Sequence, residues 1–416
     1  YFRGTMSKKD LLKEIFSKKM SVCFLLGFSS GLPLLITLTA LQAWLKDENV
    51  DLTQIGLITL VQLPYTWKFI WAPIFDRFQT PILGRRKGWL LISQILLMVT
   101  IALLGTTSPE KALMPTVIIS ILIAFFSSSQ DIVIDAHRRE YLDDEELGLG
   151  SSMYIYGYRI AMLISGGGAL ILSDHMPWKY VFIILSLFMI PGIITTFWTP
   201  EPKVTTPPPR TLRETVIDPF KEFLERSGAL HILAFILLYK VGDTMASAMT
   251  TPFYLDIGFT KTQIGAITKL WGLAATLIGA FLGGSVIYKL GIKKSLWIFG
   301  VLQAVSTAGF AVLASFGNSL HLLTGVIAFE NISGGMGTAA YAAYMASQTN
   351  KKFTATQYAL LSSLMGIPRS LLSAPTGYMA KELGWMPFFI FCTLIAIPGM
   401  LLLFKVAPLK KEIELS

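Results

Sequence analysis

Apolar residues run along this chain in blocks of about 20, separated by short polar breaks and with little period-two alternation. A membrane-crossing helix needs about 20 apolar residues. Twelve segments meet that length: 20–45, 52–75, 88–107, 113–138, 148–172, 178–198, 228–255, 261–288, 295–316, 319–347, 354–380 and 386–406. Runs such as Ile95-Leu96-Leu97-Met98-Val99 suit lipid-embedded helices and not the alternating strands of a membrane barrel. The longest polar break, 199–227, holds Pro207-Pro208-Pro209 and follows the sixth block, so it divides the chain six plus six. The expected organisation is a first six-helix bundle over 6–198, a linker over 199–227, a second bundle over 228–406 and a tail over 407–416. Residues 1–5, ahead of Met6, read as a remnant of cloning. The first apolar block is too long for a signal peptide and has no small-residue cleavage site, so it reads as a span.

Composition agrees. Hydrophobic residues make up 53% of the 416 and charged residues 15%, with a mean hydropathy of +0.59, whereas a soluble domain carries roughly 25% charged residues. Cys23 and Cys392 both lie in apolar runs, which excludes a disulfide framework or a cysteine metal cluster. A net charge of +9 would suggest nucleic acid in a soluble protein, but here its distribution matters more. Of the 35 Lys and Arg, 25 fall at the termini and in alternate loops, and only Lys46, Lys111, Lys179, Lys261 and Lys381 in the opposite loops. By the positive-inside rule both termini are cytoplasmic. The bilayer is then the expected partner and nucleic acid is not.

The two halves repeat. Thr53-Gln-Ile-Gly-Leu-Ile-Thr59 and Thr262-Gln-Ile-Gly-Ala-Ile-Thr268 share six of seven residues, and Arg159 in the fifth segment matches Arg369 in the eleventh. Parallel duplicated halves build one large class of transporters. The loop after the second segment reads Asp76-Arg77, then Gly84-Arg85-Arg86-Lys87-Gly88, and its counterpart reads Gly284 to Lys294 with Tyr288 in place of the acid. Both resemble the Gly-x-x-x-Asp-Arg-x-Gly-Arg-Arg signature of the major facilitator superfamily, although Ala72 replaces the leading glycine and six residues are inserted. An acid at a helix end can hold a neighbouring helix N-terminus or an arginine. Asp76 is therefore the expected latch, with Arg77, Arg85 and Arg86 beside it and Arg138 or Arg139 as its partner. The alternative is an ordinary basic inside loop.

Ionisable groups within membrane segments are costly and mark functional sites by default. Here they are five bases (Lys68, Arg159, Lys240, Lys269 and Arg369) and four acids (Asp131, Asp135, Asp243 and Glu330). Lys240 and Asp243 lie one turn apart and could neutralise each other. The surplus of bases suits an anionic or carboxylate-bearing solute, with Gln130 and Asn331 as polar lining. Tyr65, Tyr154, Tyr158 and Trp271 are candidates for stacking on a sugar. Asp131, Glu330 and Asp243 are the candidates for proton coupling. Each charge taken singly could equally be a structural ion pair. No phosphate loop of the Gly-x-x-x-x-Gly-Lys type occurs and no catalytic constellation is visible, so neither ATP-driven transport nor an enzyme is expected. Gly27-Phe-Ser-Ser-Gly31 has the spacing of a hydrolase elbow but lies in an apolar segment, where its glycines suit close helix packing.

The chain resembles the AmpG muropeptide permeases along nearly its whole length. The likeness is carried by Gly27-Phe-Ser-Ser-Gly-Leu-Pro33, Trp71-Ala-Pro-Ile-Phe-Asp-Arg77, Ser129-Gln-Asp-Ile-Val-Ile-Asp-Ala136, Leu238-Tyr-Lys-Val-Gly-Asp243 and Phe329-Glu-Asn-Ile-Ser-Gly-Gly-Met-Gly-Thr338. The resemblance implies an all-α major facilitator fold of 12 transmembrane helices. It further implies a bacterial inner-membrane importer of anhydro-muropeptides, driven by protons and working as a monomer without cofactor or metal. Such uptake serves peptidoglycan recycling and, in some bacteria, β-lactamase induction. An acetyl-CoA-type carrier and a non-transporting sensor of wall fragments are the other readings.

Overall fold

The computed structural model describes residues 14–50, 54, 58–81, 83–202, 211, 213–366 and 375–408. The regular elements among the described residues are helices, and the turns between them include one isolated bridge, Thr80 to Gly84. The helices are α1 (Lys18–Asp47), α2 (Ala72–Arg77), α3 (Lys87–Leu104), α4 (Leu113–Tyr141), α5 (Leu147–Ser173), α6 (Trp178–Trp198) and α7 (Asp218–Leu224). They continue as α8 (Ala229–Asp256), α9 (Gly272–Leu290), α10 (Ile292–Phe316), α11 (Leu320–Ser347), α12 (Thr354–Leu364), α13 (Thr376–Leu383) and α14 (Trp385–Val406). Nine helices among the described residues are long and apolar enough to cross a membrane.

The other three expected segments differ from a plain apolar span. Segment 319–347 is one helix of 28 residues, but Glu330, Asn331 and several glycines dilute its apolar character. Segment 52–75 is not one helix where it is described. It passes through short turns at Ile58–Gln62, Leu63–Trp67 and Lys68–Ile70 before α2. Pro64 and Pro73 each remove a backbone donor there, so the chain restarts at each proline. Segment 354–380 contributes α12 and α13, and residues 367–374 between them lie outside the described residues. The first copy of the Thr-Gln-Ile-Gly repeat also falls largely outside them.

The helices group into two compact units, residues 1–220 with 346–363, and residues 221–345 with 364–416. In the first, α1 lies along α5, α3 lies along α4, and α6 packs on α3. Leu32, Ile36, Leu97, Ile101, Val181 and Phe182 form its apolar core. In the second, α10 and α8 pack on the first half of α14 around Phe253, Phe310, Phe388 and Phe389. One bond recurs in both. Trp178 at the start of α6 donates its indole N–H to Asp47 at 2.8 Å, and Trp385 at the start of α14 donates to Asp256 at 3.1 Å.

Lipid tails are as apolar as leucine, so helices in a bilayer associate through close packing of small residues. The contact of α1 with α5 is of this kind. A Cβ on Gly157 would stand 1.9 Å from the Phe24 carbonyl oxygen, and one on Gly27 would stand 2.1 Å from that of Tyr154. The backbones touch, and no side chain fits between them. Gly157→Val is expected to cost about 3 kcal/mol through overpacking. A thermal melt of the purified protein in detergent measures it, and an unchanged midpoint would sink this account of the interface.

Candidate functional site

Asp131, Asp135 and Arg138 follow on α4 at i, i+4 and i+7, so they share one helix face. In the first unit each of the three makes at least one bond across to another helix or along its own. Ser30 of α1 donates to Asp131 Oδ1 at 2.5 Å and stands 2.7 Å from the Tyr154 hydroxyl of α5. Arg138 Nη2 donates to Asp135 Oδ1 at 2.9 Å and to the Tyr358 hydroxyl of α12 at 3.0 Å. Its guanidinium also lies 4.4 Å from the centre of the Tyr154 ring, within cation–π range. Lys68 is buried, and its ammonium acts on both Asp131 and Asp135. Two acids thus face two bases, the balance that buried charges require.

At the end of α4 nearest Arg138, the loop before α3 folds inward. Arg86 has no exposed surface. Its Nε and Nη2 donate to Glu140 at 2.9 and 2.6 Å, Nη2 also to Asp76 at 2.8 Å, and Nη1 to the Phe75 carbonyl at 2.8 Å. Arg85 adds a bond to Glu140 at 3.1 Å. Burial alone loosens the proton on Arg86, but the Glu140 and Asp76 carboxylates more than offset this, so Arg86 is a stronger base than a free arginine. The same Asp76 carboxylate caps α12, accepting from the Ala355 and Thr356 N–H groups at 3.2 and 2.8 Å and from the Thr356 hydroxyl at 2.7 Å. Glu201, just past α6, caps α3 in the same way through the N–H groups of Arg86 and Lys87 at 2.8 and 2.9 Å. Gly84, with φ +86°, makes the turn that brings the loop under Glu201.

In the second unit α8 is interrupted. Its first half ends at Leu238, its second begins at Val241, and Lys240 has φ −110° and ψ 11° at the break. Lys240 Nζ donates to the Thr338 hydroxyl of α11 at 2.8 Å and lies 3.7 Å from Asp243 Oδ2. Asp243 in turn sits beside Glu330 of α11, whose Oε2 accepts from Ser306 of α10 at 2.5 Å. Two carboxyls and one ammonium therefore meet where the helix is broken.

Several sequence expectations change. Asp76 holds Arg86 and the α12 N-terminus, not Arg138 or Arg139; Arg138 pairs with Asp135 and Arg139 with Asp144 at 2.7 Å. Arg77 stacks on Phe78 at 5.2 Å and stands outside this network. Gln130 is fully buried, accepting from Ser29 Oγ at 2.9 Å and donating to the Ser29 carbonyl at 3.0 Å, so its amide locks α4 to α1. Asn331 accepts from Thr276 Oγ1 at 2.8 Å and donates to the Ile327 carbonyl at 2.9 Å, again a helix-to-helix tie. Trp271 is 46% exposed and donates to the Thr324 carbonyl at 3.3 Å. Tyr154 and Tyr158 lie side by side with ring centres 6.1 Å apart, and Tyr65 buries its hydroxyl in the first unit. Arg159 is half-buried and has no carboxylate partner among the described residues. The Lys269 side chain and all of Arg369 lie outside the described residues. Sequence reasoning missed Glu140, Glu201 and Tyr358, each at a helix end where an acid or a tyrosine is unremarkable.

Comparison with known proteins adds the family. A model of the Major Facilitator Superfamily matches residues 23–371 and 236–415. The anhydromuropeptide permease of Escherichia coli is 42% identical over 393 residues, covering 94% of this chain and 80% of that protein. The chain belongs to the AmpG family of the major facilitator superfamily. A putative transporter of Rickettsia conorii, AmpG 4, is 35% identical over 91% of this chain and 94% of its own length. Among solved structures, the human organic anion transporter MFSD10 superposes with a TM-score of 0.72 at 12% identity, covering 93% of this chain and 100% of its own. The proton:xylose symporter XylE superposes at 0.70 and 11%, over 94% and 95%. At that identity they show the fold. The AmpG family and this fold make the chain a multi-pass inner-membrane transporter and not an enzyme.

The Arg86 network makes a quantitative prediction. Breaking a buried ion pair from one side strands the other charge, at a cost of about 3 to 5 kcal/mol. Glu140→Ala is expected to lose that much, whereas Glu201→Gln, which keeps one acceptor for the α3 cap, is expected to lose about 1 kcal/mol. Denaturant melts of both variants in detergent measure the order. Equal losses would mean that Glu140 does not sustain Arg86.

Proposed function

We propose that the chain imports anhydro-muropeptides, N-acetylglucosaminyl-1,6-anhydro-N-acetylmuramyl peptides, from periplasm to cytoplasm, with both termini cytoplasmic and the proton gradient as driving force. The 42% identity to the E. coli anhydromuropeptide permease over 94% of the chain carries this reading. The chemistry of the interior supports it. Such a cargo brings peptide carboxylates and a disaccharide. Arg159, Lys68 and Lys240, with Lys269 and Arg369, are bases for the carboxylates, and the paired rings of Tyr154 and Tyr158 offer an apolar face to a sugar. Asp131 is the proton site of the first unit and the Asp243–Glu330 pair that of the second. Asp76 is the latch: with Arg86 it holds α12 by its N-terminus, and Arg138 holds the same helix through Tyr358 one turn further on. Opening the basic-loop end of the first unit requires α12 to leave both. The protein acts as a monomer.

Uptake of radiolabelled disaccharide-anhydro-tripeptide into proteoliposomes tests the reading. Accumulation is expected under an inward proton gradient and is expected to collapse with a protonophore. Asp131→Asn is expected to retain binding and downhill flux but to lose at least tenfold in gradient-driven accumulation. Oriented, folded protein that accumulates nothing would overturn the assignment of cargo, and competition by coenzyme A would redirect it to a different anion.

A further inference from the structure

Lys240 is placed to do more than bind. It sits at the break in α8 with its ammonium closer to the neutral Thr338 hydroxyl, 2.8 Å, than to the Asp243 carboxylate, 3.7 Å. A lysine that served only to neutralise Asp243 would sit at hydrogen-bond distance from it, about 2.8 Å. Both side chains keep about a fifth of their surface open, 20% and 23%. Behind them Glu330 is nearly buried and faces Asp243. The groups around this pair are few. From α10 come Ser306, bonded to Glu330, and Gln303 one turn before it. From α8 itself comes Tyr254, close enough to act on Glu330. From α11 comes Thr338. The first half of α14, Trp385–Leu394, packs on α8 but contains no charged residue. Lys293 and Lys294 of α10 lie more than three helical turns from Ser306, Lys381 and Glu382 of α13 precede Trp385, which meets α8 at Asp256, and Lys405 of α14 lies six residues past Gly399, which abuts Leu238. Lys240 is therefore the sole cation among the described residues that meets the Asp243–Glu330 pair.

Two adjacent carboxyls cannot both stay ionised in a low dielectric without a cation beside them. We propose that Lys240 ties cargo binding to proton uptake: a carboxylate of the cargo draws its ammonium away from Asp243, and the Asp243–Glu330 pair then takes one proton. The proposal rests on the function proposed above and specifies how one of its proton sites is loaded. The balance is simple. One O–H bond forms on a carboxylate oxygen as one O–H bond of a hydronium ion breaks, on the side from which cargo arrives, and a water molecule is released. When the cargo leaves, Lys240 returns to Thr338 and Asp243, and that proton departs to the other side. Cargo and proton move together because either one alone leaves an uncompensated charge at the break. A looser bond to Thr338 than to a carboxylate lets the ammonium move without breaking a tight ion pair.

Calorimetric titration of the full chain in detergent near pH 7, with N-acetylglucosaminyl-1,6-anhydro-N-acetylmuramyl-tripeptide in two buffers of different ionisation enthalpy, counts protons per ligand bound. The wild type is expected to take up about one proton more than Lys240→Gln, which lacks the movable cation. Lys240→Arg is expected to restore the uptake. Glu330→Gln, a near-isosteric change, is expected to reduce it independently, because Asp243 then has no neighbouring charge to avoid. Binding by Lys240→Gln or Glu330→Gln with the wild-type proton count would overturn the proposal and leave the cargo reading standing. Failure of the folded wild type to bind the tripeptide would overturn both.

Discussion

The constraint on which this structure turns is the burial of a guanidinium. Arg86 has no exposed surface, and an arginine cannot escape the cost of burial by losing its proton. Acceptors must come to it, and they come from two helices: Asp76 and the Phe75 carbonyl on α2, and Glu140 at the end of α4. Asp76 spends its remaining oxygen on α12. One buried charge therefore fixes α2, α4 and α12 against the loop before α3, and Glu201 fastens that loop from behind. A neutral core could hold these helices too, but it would let them slide. Directional bonds hold them at one register and release them together.

A cation gathers carboxyl groups in the second unit as well. There the surplus is acid, since Asp243 and Glu330 share a single lysine. The Arg86 network has two carboxylates that accept several bonds each and is saturated. The Lys240 cluster is under-compensated and partly open. A saturated network favours one arrangement strongly, whereas an under-compensated one responds to a new charge. That contrast separates a structural latch from a site that senses cargo, and it rests on counting partners, not on location in the chain.

Much of this was legible in the sequence. The apolar blocks and loop charges gave the helical class, and the family resemblance gave the fold that the comparisons bear out. The one-turn spacing of Lys240 and Asp243 foretold their meeting. Partner choice was not legible. Asp76 was expected to reach Arg138 or Arg139 from loop proximity, but those side chains lie on α4, where Asp135 and Asp144 claim them first. Gln130 and Asn331 read as cargo ligands because a polar side chain in an apolar segment needs a partner, and sequence alone does not say that Ser29 and Thr276 already supply it. The break in the second segment was signalled by Pro64 and Pro73, residues that a count of apolar length passes over.

Duplication explains why both units can hold charge at all. Beyond the repeats in the segments after α1 and α8, Ile190-Pro191-Gly192 of α6 recurs as Ile397-Pro398-Gly399 of α14, and each glycine lets a neighbouring helix approach closely. A Cβ on Gly192 would stand 2.3 Å from Ser29 Oγ of α1, and one on Gly399 would stand 2.7 Å from the Leu238 carbonyl of α8. The Trp178–Asp47 and Trp385–Asp256 bonds close the other ends of the same helix pairs. Each unit thus has a helix pair fixed at a tryptophan and at a glycine, with polar residues in between. In the first unit that interval keeps α1 continuous past Ser29 and Ser30, which reach across to Gln130 and Asp131. In the second the matching positions are Leu238 and Tyr239, and the helix breaks directly after them, which brings in Lys240 and Asp243. A shared frame tolerates this divergence because its fixed points bear the packing, which leaves the chemistry between them free to differ.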